Sequence, residues 1–525
     1  MADQERKIPS VKDQSKRGPV IPVFCPADGS LIGEVRSYET GEALEILDKV
    51  KVAQKAWADL SQKGRIWRIK AFLETLYRNA EDIAQHLSRE TGKSLYESYL
   101  FEIIPLMHLT AYFAKNTERI LAPKRINISV FKNRASYIHY KPRGVVFVIS
   151  PWNFPLSIPF GEVVMALLAG NGVLLKPASL TPLIALKVAE LFRESGMDPD
   201  LLRVIPGPGR MASEVLKRGD VGYVNFTGST VVGRGVASIA GERLIPSSME
   251  LGGKNPAIVC EDADLDKAAR SIVWGAFSNS GQICASVERV YAVSTIYQGL
   301  VRRIVEITES LRQGHPIEDV DVELGSMTDE GQLELVSGQV EAAVEKGATV
   351  LTGGRRGSKK GLFYEPTVLV GVDESMEVMR EESFGPLLPI VEVQTEEEAV
   401  RKSNDSEFGL NAYVFTRDGD KGKRIAECLE AGTVMVNDVL MTHAFPETPW
   451  GGVKNSGMGR VHSDKGLRDL CEARHVNHEL FSLPNPVWYP YSLKKAKRFL
   501  SAFDMIHREG DTLDKLRAVW KMVAP

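Results

Sequence analysis

The sequence predicts an α/β protein of more than one domain, built on parallel sheets. Strand-like and helix-like segments alternate from residue 144 to about residue 260, which is the pattern of a doubly wound sheet. The strand segments 144–149 and 172–175 are almost entirely apolar, as expected for strands that are covered on both faces. A second alternating run continues to about residue 446, and 525 residues are too many for a single hydrophobic core.

The individual elements follow from apolar periodicity. A polar-interrupted hairpin is predicted over 126–142, a late extended segment over 473–490, and a basic and acidic amphipathic tail over 491–525. Strands are predicted over 144–149, 172–175, 201–205, 222–226, 248–251, 257–260 and 289–293. Helices are predicted over 42–58, 64–92, 160–169, 182–195, 210–217, 231–240, 264–278 (capped near Asp262) and 297–313.

Composition excludes several classes of protein. The net charge of −3 argues against an extended nucleic-acid-binding surface. The five cysteines are scattered and lack CxxC spacing, which argues against a disulfide framework and a zinc ribbon, so we predict no metal site. Free cysteines fit a reducing compartment, and the polar N-terminus has no apolar signal core, so we expect a cytoplasmic protein.

The stretch 144–175 resembles a membrane span, because Glu162 is its only charged residue before Lys176. Pro151, Pro155 and Pro159 interrupt it, and its asparagines would be costly in lipid. We therefore interpret it as a strand, a helix and a second strand of a water-soluble fold.

The most informative residue is Cys284, which lies in a Gly/Ser-rich segment downstream of Glu250-Leu251-Gly252-Gly253. A thiol in such a turn, and a carboxylate on a glycine turn that can approach it, predict covalent catalysis with Cys284 as nucleophile and Glu250 as base. An isolated cysteine is far more often an inert core residue, so this prediction depends on the surrounding motifs.

Two segments are candidates for holding a nucleotide. Residues 226–233 follow a strand and open a helix, where backbone amides and the Ser229 hydroxyl suit a pyrophosphate. This segment is not GxGxxG, and a plain turn into a helix explains it equally well. Lys176 ends another strand and is placed to hold ribose hydroxyls, although a solvated lysine is as common there.

Two further segments carry candidate polar groups. Pro151 and Pro155 stiffen the loop around Asn153, whose amide is suited to stabilise an oxyanion; an Asn that satisfies loop backbone is the commoner case. In an extended chain the side chains of Glu382 and Phe384 face the same side. The Glu382 carboxylate is then suited to bind ribose hydroxyls, and the Phe384 ring is suited to lie near a nicotinamide. The alternative is an acidic turn beside a core phenylalanine.

These motifs, in this order, resemble the aldehyde dehydrogenase superfamily over roughly residues 20 to 475. The matching segments are 151–155, 176–178, 226–233, 250–256, 281–284, 382–386, 432–437 and 449–457. The resemblance implies a Rossmann-like cofactor domain, an α/β catalytic domain with a catalytic thiol, and a small β oligomerisation hairpin. It further implies a homo-oligomer, dimer or tetramer.

The resemblance also implies roles for individual residues. Cys284 would be the nucleophile, Glu250 the base that activates water, and Asn153 with the Cys284 amide the oxyanion hole. Chemistry of this kind requires that the site favour the thiolate near neutral pH. NAD or NADP would be the cofactor, held by Ser150, Trp152, Lys176, Ser179, Gly228, Ser229, Leu251, Glu382 and Phe384.

The domain boundaries that follow are expectations of the same kind. We assign 1–125 and 143–252 to the dinucleotide-binding domain, 253–448 to the catalytic domain, 126–142 and 473–490 to oligomerisation, 449–472 to a return into the cofactor domain, and 491–525 to a C-terminal extension.

The chain departs from the family pattern in three places. Ser179 stands where the commoner cofactor motif has Glu, which removes a charge that would repel a 2′-phosphate, so NADP should be accepted alongside NAD. Glu162 stands where family members often have Lys. The tail to Pro525 extends past the usual end of the family.

The expected substrate is an apolar aldehyde, medium- to long-chain aliphatic or aromatic. Ile283 and Ala285 flank the thiol, and Phe154, Phe160 and Trp450 are expected in loops that line an entry tunnel. The alternatives are a semialdehyde dehydrogenase, a CoA-acylating enzyme, which would need Glu250 less, and a non-catalytic binding or structural protein. The basic and apolar tail is compatible with weak membrane-surface contact, or with packing on its own protein.

Overall fold

The structure is a computed structural model that describes residues 19–128, 133–482, 485, 487–507 and 511–523. Its strands are β1 (Val20–Phe24), β2 (Leu31–Arg36), β3 (Lys124–Ile126), β4 (Arg134–Pro142), β5 (Val145–Ile149), β6 (Gly172–Lys176), β7 (Leu202–Val204), β8 (Tyr223–Thr227), β9 (Ser247–Glu250), β10 (Asn255–Val259), β11 (Val287–Val293), β12 (Thr349–Thr352), β13 (Thr367–Val370), β14 (Leu387–Val393), β15 (Phe408–Gly409), β16 (Asn411–Phe415), β17 (Thr433–Val436), β18 (Val453–Lys454), β19 (Gly457–Met458) and β20 (Cys471–Glu479).

The helices are α1 (Thr40–Asp59), α2 (Gln62–Arg78), α3 (Ala80–Thr91), α4 (Leu95–Glu97), α5 (Ile104–Ile120), α6 (Ser157–Leu168), α7 (Pro182–Glu194), α8 (Gly209–Arg218), α9 (Thr230–Glu242), α10 (Leu265–Phe277), α11 (Ser294–Glu309), α12 (Glu330–Glu345), α13 (Glu377–Arg380), α14 (Glu396–Asn404), α15 (Gly419–Cys428), α16 (Ser463–Asp469), α17 (Leu493–His507) and α18 (Thr512–Val523). A π-helical segment (Ser98–Ile103) joins α4 to α5, and 3₁₀ turns occur at Ser278–Gly281 and Met441–Ala444.

The first large sheet has the order β19-β9-β8-β5-β6-β7. Strands β5 to β9 are parallel, and the short β19 pairs antiparallel with β9. The chain starts in the middle of the sheet and winds outward first on one side and then on the other, so β5 and β8 flank the switch point. All residues of β5 and β6 are buried, which explains why their sequences are continuously apolar.

The second large sheet has the order β12-β13-β14-β11-β10-β16-β17 and is parallel apart from the β12–β13 pair. Its strands β10 and β11 are completely buried, and α10 and α11 pack against the sheet. Both predicted α/β runs therefore exist, and the predicted α/β fold class with parallel sheets is confirmed.

Several local predictions need correction. The single helix predicted over 64–92 is two helices, because Asn79 leaves helical geometry (φ −103°, ψ 10°) and donates its amide to Thr75 O at 2.8 Å. The cap of α10 is Asp264, which accepts from the amide of Lys267 at 3.1 Å. Asp262 instead accepts from the hydroxyl of Thr416.

The chain divides into two compact units, of which the smaller comprises 121–141 and 472–525. In this smaller unit β3 and β4 pair antiparallel, as the predicted hairpin requires, although residues 129–132 of that hairpin lie outside the described residues. Among the described residues of the extended segment predicted over 473–490, only the part up to Glu479 is strand, in a sheet of order β20-β4-β3. The domain boundaries themselves stay a prediction.

Across the described residues, no helix combines the length and the apolar character that a membrane crossing needs. The stretch 144–175 forms β5, α6 and β6, as interpreted from its prolines. The compartment of the protein stays a prediction.

Candidate active site

A cleft of about 650 Å³ opens at the carboxyl ends of the first sheet's parallel strands. The chain enters it directly after β5, β6, β8 and β9, at the switch point where ligands bind in doubly wound sheets. Every residue that the sequence assigned to catalysis or to the cofactor lines this cleft. These are Ser150, Trp152, Asn153, Lys176, Ser179, Gly228, Ser229, Glu250, Leu251, Cys284, Glu382 and Phe384.

The thiol of Cys284 follows a tightly constrained turn. Asn279 and Ser280 have positive φ angles of 51° and 53°, and Gly281 has φ 74°. A Cβ on Gly281 would lie 2.0 Å from the carbonyl oxygen of Gly385, so only glycine allows the thiol loop to approach the 382–386 loop this closely. Backbone held in such unfavourable regions commonly marks a functional site.

The resting thiol is protonated at neutral pH. Burial, together with the negative charges of Glu382 and Glu250, raises the pKa of Cys284 to about 12, while nearby backbone amides oppose the rise. In the protein without ligand, burial therefore disfavours the thiolate, and a thiolate near neutral pH stays a prediction for the reacting enzyme. A bound cation or a proton acceptor is needed to form the thiolate.

Glu250 is the last residue of β9, and its carboxylate is buried without a hydrogen-bond partner among the described residues. Burial raises its pKa well above the usual range, the charge of Glu162 adds to the rise, and Arg460 opposes it. An orphaned buried carboxylate is costly, and in a cleft it is a candidate proton acceptor. Glu162 is itself buried and accepts from the amide of Asn225, and burial raises its pKa to about 8.

Asn153 is anchored from two directions. Its Nδ2 donates to Gln282 O at 2.9 Å, so one amide hydrogen is bound to the loop that carries the thiol. Its backbone carbonyl oxygen accepts from the buried Nζ of Lys93 at 2.7 Å, and that Nζ also lies 4.3 Å from the centre of the Phe154 ring. The second amide hydrogen of Asn153 has no partner among the described residues and is available to a ligand.

Lys93 belongs to a polar network that sequence reasoning missed. Its Nζ donates to Glu102 at 2.7 Å, and the other oxygen of Glu102 accepts from the amides of Leu156 and Ser157 at 3.1 and 2.7 Å. Glu97 accepts from the amide of Asn279 at 2.6 Å. Two carboxylates in the otherwise uncharged, mostly apolar segment 95–106 are a usable signal, because buried charges need partners.

Glu382 and Phe384 both face the cleft, but not by the predicted geometry. Phe384 has φ 48°, so the chain is not extended there. The Phe384 ring stands edge-on to Trp152 with 5.4 Å between ring centroids. The carboxylate of Glu382 accepts from the amide of Gly253 at 3.0 Å, and burial, with the charge of Glu288, raises its pKa to about 8.

A second buried ion pair holds this loop. Lys254 Nζ donates to Glu288 at 2.7 Å and to Ser383 Oγ at 2.9 Å. Glu288 in turn accepts from the amides of Ser383 and Phe384 at 2.9 and 3.0 Å. Neither Lys254 nor Glu288 was predicted from the sequence.

The opposite end of the cleft fits a dinucleotide. Ser229 caps α9, whose first amides are therefore directed at the cleft, where they suit a pyrophosphate. Lys176 is 8% exposed, burial lowers its pKa to about 8, and it has no carboxylate partner among the described residues. Beside it Ser179 is exposed and leaves room for a further anionic group.

An apolar cavity of about 60 Å³ adjoins Cys284. Its polar side chains are Ser157 and His443, and burial lowers the pKa of His443 to about 4, so that this ring is neutral. None of the described residues that line it is a lysine or an arginine. The remaining lining residues are Leu100, Phe101, Pro105, Phe154, Ile158, Ile283, Ala285, Leu440, Met441, Ala444 and Trp450.

Phe154 and Trp450 thus lie where the sequence predicted, whereas Phe160 does not. Phe160 is fully buried on α6 and its ring stacks against Phe192, with 6.1 Å between centroids. The sequence placed Phe160 in a loop lining the tunnel, but α6 already begins at Ser157 and carries the Phe160 ring into the core.

Two clusters outside the cleft bring together possible metal ligands. Cys260, Asp262 and Glu396 form the first, but Lys421 Nζ bonds both of its carboxylates, at 3.2 and 3.1 Å. The second cluster consists of Cys25, Asp28 and His315. The Nδ1 of His315 accepts from backbone amides, which leaves the proton on Nε2. Neither arrangement offers a free set of ligands.

Comparison with known proteins gives one consistent family. A model of the aldehyde dehydrogenase family matches residues 11–476. A putative succinate-semialdehyde dehydrogenase [NADP(+)] of Mycolicibacterium smegmatis is 39% identical over 82% of this chain and 83% of its own. A 4,4'-diapolycopene aldehyde oxidase of a Methylomonas species is 35% identical over 95% and 93%.

Solved structures agree. The NAD+ complex of aldehyde dehydrogenase from Bacillus cereus is 30% identical, with a TM-score of 0.85 over 88% of this chain and 94% of that one. An NADP-dependent enzyme of E. coli is 33% identical, with a TM-score of 0.85 over 88% and 95%. The cofactor is therefore NAD or NADP, and the protein is an oxidoreductase. The chain belongs to the aldehyde dehydrogenase family.

Proposed function

We propose that the protein oxidises apolar aliphatic or aromatic aldehydes to carboxylic acids, with Cys284 as nucleophile. The observation that carries the substrate class is the cavity beside Cys284, which is apolar, has a neutral histidine and has no cationic side chain. A hydrocarbon chain gains free energy by leaving water for such a lining. A charged chain would lose its hydration without gaining a partner.

In the first stage Cys284 Sγ attacks the aldehyde carbon. The thiol proton passes to a base, and the orphaned carboxylate of Glu250 in the same cleft is the proposed acceptor. The carbonyl oxygen becomes an oxyanion, which the free amide hydrogen of Asn153 and the Cys284 amide stabilise. Expulsion of hydride leaves a thioester on Cys284, and NAD(P)+ supplies the hydride acceptor.

In the second stage water cleaves the thioester. Glu250, having released its first proton to solvent, takes a proton from the attacking water, and the acid leaves as Cys284 recovers its thiol. Since burial raises the pKa of Glu250, the base is active above that pKa and is lost as pH falls through it. Turnover should therefore increase from neutral towards alkaline pH.

The main competing substrate class is the semialdehydes. It is favoured by the names of relatives such as the putative succinate-semialdehyde dehydrogenase of Mycolicibacterium smegmatis. The carboxylate of a semialdehyde would need a cation, and the described residues that line the cavity provide none. The match to a 4,4'-diapolycopene aldehyde oxidase supports the apolar class, because the aldehyde in that enzyme's name is borne by a hydrocarbon.

We also propose that the protein is a homo-oligomer, a dimer or a tetramer. Strand β20 lies at the edge of its sheet, and most of its residues are exposed. A long exposed edge is an aggregation hazard unless something pairs with it, and a second copy of the chain is the proposed partner.

Glu250→Gln should separate the two chemical stages. We expect an initial burst of NAD(P)H in stopped-flow measurements, followed by a stall at the thioester, because water is no longer deprotonated. Cys284→Ala should show neither burst nor turnover. Full steady-state turnover by Glu250→Gln would show that the base assignment is wrong.

The substrate class can be tested with kcat/KM values from propanal to decanal and for succinic semialdehyde. Each buried methylene contributes about 0.8 kcal/mol, so four added carbons should raise kcat/KM by up to about two orders of magnitude. Met441→Arg, which places a cation in the cavity, should shift preference towards succinic semialdehyde, whereas the exposed control Met458→Arg should not. A flat or falling series in the wild-type protein contradicts the apolar class.

Ser179→Glu should move cofactor preference from NADP towards NAD. The new carboxylate would hydrogen-bond ribose hydroxyls and repel a 2′-phosphate beside Lys176. The measurement is the ratio of kcat/KM for NADP to that for NAD with one saturating aldehyde. An unchanged ratio would exclude Ser179 from the adenosine end of the site.

Sedimentation velocity tests self-association. At micromolar concentration we expect a species of two or four subunits of 57.9 kDa each. A single species at the mass of one subunit would contradict the oligomer, and would leave the edge of β20 to be explained in another way.

A further inference from the structure

The C-terminal residues form a pair of amphipathic helices whose apolar faces are exposed. Helices α17 and α18 contact each other and follow the end of the family match at residue 476. On α17, Leu493, Leu500 and Phe503 are 81, 70 and 56% exposed. On α18, Leu513, Leu516 and Trp520 are 59, 63 and 73% exposed. The spacing within each set puts its members on one helix face.

The segment before α17 adds exposed aromatic rings. Trp488, Tyr489 and Tyr491 are 70, 80 and 71% exposed. Exposed apolar surface of this extent is unusual on a protein that has nothing to bind. Tryptophan and tyrosine are enriched where protein meets the boundary between lipid and water.

The same region is positively charged. Residues 487–525 contain eight Lys or Arg against four Asp or Glu, although the whole chain has 65 against 68. Four of the basic residues, Lys494, Lys495, Lys497 and Arg498, lie in the first turns of α17. Positive charge is therefore concentrated on the helices that also expose the apolar side chains.

Exposed apolar faces together with positive charge favour a lipid bilayer over a second copy of the chain as the partner. A second copy of the chain would place these lysines in or around an apolar interface, and lysine is depleted from such interfaces. A bilayer with anionic headgroups accommodates both features, since the basic groups remain among the phosphates while the rings and leucines enter the interface. Neither helix meets the length and apolarity that a span needs, so the contact is with the surface.

We propose that residues 487–523 are an interfacial membrane-binding element that docks on an anionic lipid bilayer. The inference concerns where the protein binds and rests on exposure and charge alone, so it is independent of the substrate proposed above.

The test is co-sedimentation of the full-length protein with lipid vesicles. We expect binding to equimolar phosphatidylglycerol and phosphatidylcholine vesicles, about tenfold weaker binding to phosphatidylcholine alone, and loss of the difference at high salt. The double variant Trp488→Ser/Trp520→Ser should bind about tenfold more weakly. Its matched control is Trp67→Ser, which removes a 68% exposed tryptophan from α2 and should leave binding unchanged.

A charge-reversal pair isolates the electrostatic part. Lys494→Glu/Lys495→Glu should abolish the preference for phosphatidylglycerol, and Lys55→Glu/Lys70→Glu, on the exposed surface of α1 and α2, should not. All variants should oxidise a water-soluble aldehyde at the wild-type rate, which shows that they are folded.

Three outcomes would overturn the proposal. The first is no binding to either kind of vesicle at low salt. The second is full binding by the Trp488→Ser/Trp520→Ser variant, which would place the contact elsewhere. The third is that the wild-type protein does not bind vesicles and the tail variants sediment as smaller oligomers than the wild type. That result would make this surface an interface between copies of the chain.

Discussion

The buried ion pair between Lys93 and Glu102 is the constraint on which the geometry of the catalytic cleft depends. Lys93 Nζ bonds the carbonyl of Asn153, and Glu102 bonds the next amides of that loop. Both side chains are fully buried. Removing one partner of such a pair leaves an uncompensated charge and typically costs about 3–5 kcal/mol. The loop that presents Asn153 therefore has one stable position.

The chain between Lys93 and Glu102 also restrains the loop that carries the Cys284 thiol. Glu97, the residue directly before the π-helical segment, accepts from the amide of Asn279, and the Asn153 side chain donates to Gln282. The Lys254–Glu288 pair repeats this construction at the 382–386 loop. Three loops from distant parts of the chain are thus each held by buried charges, so the cleft is organised before any ligand enters it.

Much of this could be predicted from the sequence. Continuous apolar strands and their alternation with helices identify parallel sheets, and short glycine- and proline-rich motifs at strand ends identify residues that all line one cleft.

Features set by tertiary contacts could not be predicted. The pKa of Cys284 depends on burial and on two carboxylates far away in sequence. The positive φ of Phe384 reflects amides bound by Glu288, and Phe160 faces the core because Phe192 lies there. The surroundings of Glu102 signal a buried, paired carboxylate, but nothing in the sequence identifies Lys93, nine residues away, as its partner.

The π-helical segment Ser98–Ile103 has a consequence for how this protein can diverge. Leu100 and Phe101 line the apolar cavity, whereas the adjacent Glu102 bonds Lys93 and the Asn153 loop. Neighbouring positions of one helical turn thus separately line the proposed substrate cavity and hold the loop that carries Asn153. Mutations at Leu100 and Phe101 can reshape the space beside the thiol while the buried pair stays intact. With this cavity as the proposed aldehyde site, new substrate ranges can arise at Leu100 and Phe101 while the Lys93–Glu102 pair is kept.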